Sequence, residues 1–292
     1  MIDHPSLKQW IHAASALLAL MGAGFVAWKI TKHASQIDLT SFTTSAWIGL
    51  ALMVVLYGAS NGLLAKAWWY LLKYFKLDAP WPWTLKTYGI SQINKYIPGN
   101  IFHLAGRQAL GMSKGLAGRP LAKSALWELG LLALLGLLYG TLALPLIYGP
   151  VSSLTAIGLW GSLLAFSYIA LRHFVASQVA LAMCWQAGFL LLSGAVFVVV
   201  LLMSNQSSTP VYATLPAVGG AYVLAWLSGL ITPGAPAGVG VREAVLLLLL
   251  SGQFAPPDLL VAIVLGRVVT ASGDLLFYLY ALNLKSNPHD PH

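Results

Sequence analysis

The chain has 292 residues, of which 58% are hydrophobic and only 8% charged, where an ordinary soluble domain carries about a quarter charged residues. That composition excludes a soluble enzyme of usual make-up and points to an all-α, polytopic integral membrane protein. The net charge of +8, from 16 Lys and Arg against 8 Asp and Glu, is carried largely beside apolar runs, where it sets topology and attracts anionic headgroups; nucleic acid is not the expected partner.

The first apolar run, Leu7 to Trp28, is long enough to span and reads as a retained helix, not a removed signal peptide. A second run covers about Ala46 to Leu72 and carries Asn61 and Lys66. Lys73, Lys76, Lys86, Lys114, Arg119 and Lys123 then mark one basic face. By the positive-inside rule that face is cytoplasmic, and with it the N-terminus; Lys29 and Lys32 run against the trend.

From about Trp83 to Met112 the chain is only moderately apolar, and Pro98-Gly99 divides it into halves too short to span. Proline removes a helical donor and disfavours helix at the residue before it. Such a break must be buried in protein or line a wet cavity, so a re-entrant hairpin is expected. Spans follow at about Leu121 to Leu144, Val151 to Leu171, Gln178 to Met203 and Tyr212 to Ile231. The last of these runs into a second break at Pro233-Gly234 and a short apolar helix, about Val241 to Leu250. A final span covers about Asp258 to Leu282, and a short polar tail, 283–292, closes the chain. The expectation is one transmembrane domain over 1–292, with about seven spans and two broken segments. Its repeat-like halves are 46–144 and 205–282, with parallel or inverted orientation left open.

The two breaks are alike. Arg107 stands nine residues after Pro98, and Arg242 stands nine after Pro233. Gly238 and Gly240 join Pro98, Gly99, Pro233 and Gly234 as expected hinge positions. An ionisable side chain inside a span is costly and is a functional candidate by default. Lys95, Asn100, Arg107, Arg242 and Arg267 are the candidate substrate-binding residues, and Glu128, Glu243 and Asp274 the balancing or proton-coupling ones. Arginine grips phosphate through a two-pronged fork, and half-helix N-termini add donors. A phosphate-binding cavity between the two breaks follows as an expectation, with its more positive wall in the first half, where Lys95 precedes the proline. The competing reading is purely structural: Arg242 pairs with Glu243, and Arg267 with Asp274. Lys66 and Lys123 read as interface residues, and His103 as a hydrogen-bonded interior histidine or a proton relay. The single Cys184 excludes an intrachain disulfide, a cysteine-rich zinc site and a CxxC redox pair. No hydrolase elbow, zinc-protease or P-loop motif occurs, so no metal, cofactor or catalytic residue is expected.

Lys95-Tyr96-Ile97-Pro98-Gly99 with Gly106-Arg107, and Pro236-Ala237-Gly238-Val239-Gly240-Val241-Arg242-Glu243, resemble the two motifs of the lysylphosphatidylglycerol synthase transmembrane-region family. Ala237 and Val239 depart from the glycine and leucine usual in the second motif. The resemblance implies a flippase-type domain of the bacterial inner membrane. The expected cargo is an anionic phospholipid or a polyprenyl-phosphate-linked lipid. It does not imply synthase activity, which belongs in that family to a soluble domain this sequence lacks. The alternatives are an intramembrane enzyme modifying a lipid headgroup, with His103 or Glu128 as base, and a scaffold for a glycosyltransferase or lipid synthase. Oligomeric state is not legible.

Overall fold

The computed structural model describes residues 43–97, 102–204, 214–232 and 235–284. The expected first span, the Pro98-Gly99 and Pro233-Gly234 breaks, Asn100 and the tail lie outside the described residues. Every regular element within them is helical.

Helix α1 (Thr44–Tyr74) starts at Thr43, whose hydroxyl accepts from the Ala46 amide. Two twelve-residue helices follow, α2 (Trp81–Gln92) and α3 (Phe102–Ser113). They lie side by side in opposite directions: Lys114, just past the end of α3, sits 5.0 Å from the Trp83 ring near the start of α2, and Gly106 of α3 packs against Asn94 beyond the end of α2. Helix α4 (Gly118–Gly140) is prolonged by a 3-10 turn, Thr141–Ala143, and a last helical turn, Leu144–Ile147. Helix α5 (Ser153–Phe174) is capped by the Ser152 hydroxyl, which accepts from the Thr155 amide at 3.1 Å. Helices α6 (Ser177–Ser204), α7 (Leu215–Ile231), α8 (Val241–Leu250) and α9 (Pro256–Asn283) complete the described chain. Prolines in the first turns of α2, α7 and α9 fall where a helix needs no donor.

Five helical stretches are long and apolar enough to cross a membrane: α1, α4 with its extension, α5, α6 and α9. Helix α7 has 17 residues and starts at Leu215, three residues later than expected. It is half of a pair with α8. Gly229 of α7 and Gly238, just before α8, touch backbone to backbone; a Cβ on Gly229 would lie 2.9 Å from the Gly238 Cα. Long α1 and α6 form the centre, burying Tyr57, Trp68, Leu71, Phe189, Leu190 and Phe197, with the Tyr57 and Phe189 rings 6.0 Å apart. Helix α9 closes on α1 at Gly58 and Gly273, where a Cβ on Gly58 would come 2.9 Å from the Gly273 carbonyl oxygen. Helix α5 is peripheral. Only Ala156 of it is buried, while Leu154 and Phe174 are 80% and 81% exposed. A leucine- and phenylalanine-covered outer surface suits lipid as the solvent.

Candidate functional site

The charged residues singled out from the sequence come together where the ends of the two helix pairs meet α1, α4 and α9. They line or back a cavity of about 60 Å³, room for a few water molecules. Lys95, His103, Glu128, Arg242, Arg267 and Asp274 are on its wall. Arg107 and Glu243 are buried but not on the wall.

In the first helix pair, Arg107 of α3 is clamped. Its Nη1 lies 2.7 Å from Oε2 of Glu128 on α4, and the guanidinium sits 4.4 Å over the Tyr88 ring and 5.2 Å from the Trp68 ring. The Tyr88 hydroxyl donates to the other Glu128 oxygen at 2.9 Å. Gln186 of α6 donates to the Glu128 carbonyl at 3.2 Å. Both carboxylate oxygens are therefore satisfied, as a buried ion pair requires.

The Asp274 carboxylate of α9 binds the end of the first pair. Lys95 Nζ lies 2.8 Å from its Oδ2, and the Tyr96 hydroxyl donates to the same oxygen at 2.6 Å. Asn61 of α1 donates to Oδ1 at 3.3 Å, and Gln92 donates to the Asn61 side-chain oxygen at 3.2 Å.

The second pair is built differently. Ala237 (φ 48), Gly238 (φ 73) and Gly240 (φ 84) all adopt left-handed backbone within four residues, so the chain reverses tightly into α8. Glu243 accepts from the Gly240 amide at 2.6 Å, capping its own helix. Its other oxygen accepts from Arg267 Nε, and Arg267 Nη1 donates to the Ala237 carbonyl at 2.9 Å. Arg242 is buried against Tyr222 of α7. Its guanidinium is 4.4 Å from the ring centroid, and it donates to the hydroxyl.

Among the described residues Arg242 has no carboxylate within ion-pair distance. Of the four bases Lys95, Arg107, Arg242 and Arg267, the first two and the last are matched by Asp274, Glu128 and Glu243. One positive charge is left, on Arg242. Of the five side-chain polar atoms buried without a partner among the described residues, two, His103 Nδ1 and Arg267 Nη2, belong to residues that face the cavity. His103 is buried, as expected of an interior histidine, but its Nδ1 has no hydrogen-bond partner among the described residues.

The pairs anticipated as purely structural are not the ones formed. Arg242 and Glu243 are adjacent on a helix and point about 100° apart. Arg267 and Asp274 are separated by about 10 Å of helix rise, so each reaches a different element. Tyr88, Tyr96, Tyr222, Asn61 and Gln92 escaped the list of site residues. Their signal was a polar tip inside an apolar span, which needs a buried partner. Among the described residues no three His, Cys, Asp or Glu side chains gather as a metal site would need.

The two arginines have matching surroundings. Arg107 covers Tyr88, which stands 6.1 Å from Trp68 of α1, and Arg242 covers Tyr222, which stacks 4.9 Å from Phe197 of α6. No protein-family model and no curated protein sequence matches this chain.

Proposed function

We propose that the protein is a transporter that moves a lipid with a phosphate-containing headgroup across the bacterial inner membrane. The supporting observation is Arg242: a buried, always-charged guanidinium with no carboxylate, on the wall of a polar cavity. An anion would complete its charge balance and meet the unpartnered Arg267 Nη2 at the same cavity. An anionic phospholipid or a polyprenyl-phosphate-linked lipid carries that chemistry outside the bilayer core while its chains stay in lipid. The two motifs resembling the lysylphosphatidylglycerol synthase transmembrane region support the same reading.

In this reading α2 with α3, and α7 with α8, are re-entrant hairpins entering from opposite faces. α1 to α4 then form one unit and α6 to α9 its inverted copy, with α5 between them. The second unit starts at α6, earlier than the half beginning at residue 205 anticipated from sequence. The matched Tyr88–Arg107 and Tyr222–Arg242 contacts favour this arrangement. Inverted repeats commonly exchange roles between two states. Here Arg107 is held by Glu128 while Arg242 is uncompensated; in the opposite state Arg107 would be released and Arg242 held. The cavity is too small for a whole headgroup, so carrying one requires its walls to move apart.

In proteoliposomes carrying fluorescent phosphatidylglycerol, Arg242→Gln is expected to slow translocation by roughly tenfold or more, the worth of one charge-assisted contact. Wild-type rates in a folded Arg242→Gln protein would sink the proposal. A second reading, a lipid-headgroup-modifying enzyme with His103 as base, draws on the unpartnered His103 Nδ1. It requires a mass-shifted lipid after incubation with purified protein. Glu128 suits that role less, since Arg107 and Tyr88 occupy both its oxygens. Binding without transport or turnover would instead point to a scaffold for a glycosyltransferase or lipid synthase.

A further inference from the structure

Gly62 lies in the interior of the 31-residue helix α1, where glycine weakens a helix relative to alanine. Gly58, one turn earlier, has a packing reason in its contact with Gly273. Gly62 has none: among the described residues nothing lies within 4 Å of where its Cβ would be. The space it leaves open belongs to a groove of about 680 Å³, a volume typical of ligand sites, which run to roughly 300–1,000 Å³.

The groove runs along α1 from Val55 to Lys66 and is closed by Trp81 and Leu85 of α2, Trp185 of α6, and Phe277 of α9. Eleven helical positions span about 16 Å, close to half of a ~30 Å hydrocarbon core, so the groove is as deep as one leaflet. Its walls are apolar until the end. There Lys66 Nζ sits 3.9 Å from the Trp69 ring centroid and 4.4 Å from that of Trp81. Lys73 Nζ lies 3.5 Å from the Trp69 ring. Among the described residues neither lysine has a carboxylate within ion-pair distance. Lys66 thus lines the end of an acyl-sized trough, and Lys73, beyond the lining, shares the Trp69 ring with it. A phosphate complements them; a choline headgroup would bring a third cation to the same place.

We propose that this groove is a docking site for one anionic phospholipid, with an acyl chain over Gly62 and the phosphate at Lys66 and Lys73. It is distinct from the central cavity, which lies against Tyr57 and Leu64 on another face of α1. It does not depend on the cavity's carrying a headgroup.

The test is native mass spectrometry of the purified protein titrated with phosphatidylglycerol or phosphatidylcholine. Two lysines near the phosphate are expected to favour phosphatidylglycerol by roughly tenfold. Gly62→Leu, whose Cβ enters open space among the described residues and whose branch fills the trough, is expected to remove that adduct, as is Ala59→Leu. Lys66→Gln is expected to reduce the preference to about twofold while leaving apolar binding. Equal phosphatidylglycerol retention by wild type and both filling variants overturns the proposal, as does equal affinity for the two lipids. A photo-reactive group on a Gly62→Cys variant should capture lipid. Capture of residues 7–28 of the same chain would show that the chain itself fills the groove, and would also overturn it.

Discussion

Glu128 is held from three directions: Arg107 by charge, Tyr88 by its hydroxyl, and Gln186 at its backbone carbonyl. Removing one member of such a buried pair strands the other, at a cost of about 3–5 kcal/mol, whereas replacing both with apolar side chains is often close to neutral. Glu128→Gln and Arg107→Met are each expected to lower melting temperature in detergent markedly. The double variant Arg107→Met/Glu128→Leu should lose less than the sum of the two. Strict additivity would mean that the pair contributes nothing jointly. Ala237 raises a second question at this scale. It holds φ 48 in a reversal whose other left-handed positions, Gly238 and Gly240, are glycines, a conformation that costs a non-glycine residue about 1–2 kcal/mol. Ala237→Gly is expected to be neutral or stabilising by up to about 1 kcal/mol, because relieved strain is partly offset by added unfolded-state entropy. Gly238→Ala should do the opposite, since its Cβ would lie 2.7 Å from the Gly229 Cα.

Between elements, glycine decides how near helices come. A Cβ on Gly273 would lie 2.9 Å from both the Gly58 nitrogen and the Val54 oxygen of α1. Those are backbone atoms and cannot rotate away. Gly273→Leu is therefore expected to push α9 off α1 at a cost of about 1–3 kcal/mol, and to pull the neighbouring Asp274 from Asn61, Lys95 and Tyr96. Reduced transport with a lowered melting temperature would show both effects; an unchanged melting temperature would contradict the close crossing. Gly62→Ala is the control on the same helix. With open space at its Cβ, it should stabilise by up to about 1 kcal/mol.

For the whole molecule, the decisive issue is whether α2 and α3 together return the chain to the face of the membrane it came from. In a Cys184→Ala background, Asp78→Cys between α1 and α2 and Val175→Cys between α5 and α6 should label from the same side with a membrane-impermeant thiol reagent. Gly149→Cys, between α4 and α5, should label from the other. Labelling of Asp78→Cys and Val175→Cys from opposite sides would mean that the first helix pair makes one net crossing, against its antiparallel packing, and the inverted-repeat arrangement would fail with it.

Much of this was legible in the chain before any coordinates. Apolar run length gave all five of the described spans to within a few residues, because a bilayer demands both length and the absence of charge. The list of buried charges was also legible, since ionisable residues are conspicuous in apolar runs. The run ending at Ile231, expected as a span, forms the 17-residue α7 among the described residues, and α7 packs against α8 where Gly229 and Gly238 let the backbones touch. Partner choice was not legible at all. Glu243 reaches Arg267 and Asp274 reaches Lys95 across elements far apart in sequence, and spacing along a helix says nothing about what another helix brings opposite. The sequence by itself determined a helical chain for an apolar solvent and the inventory of charge it buries. Only the tertiary structure decided which charges cancel and which cation, Arg242, is left facing the cavity, because ion pairing depends on distances of a few ångströms between side chains that the fold alone brings together.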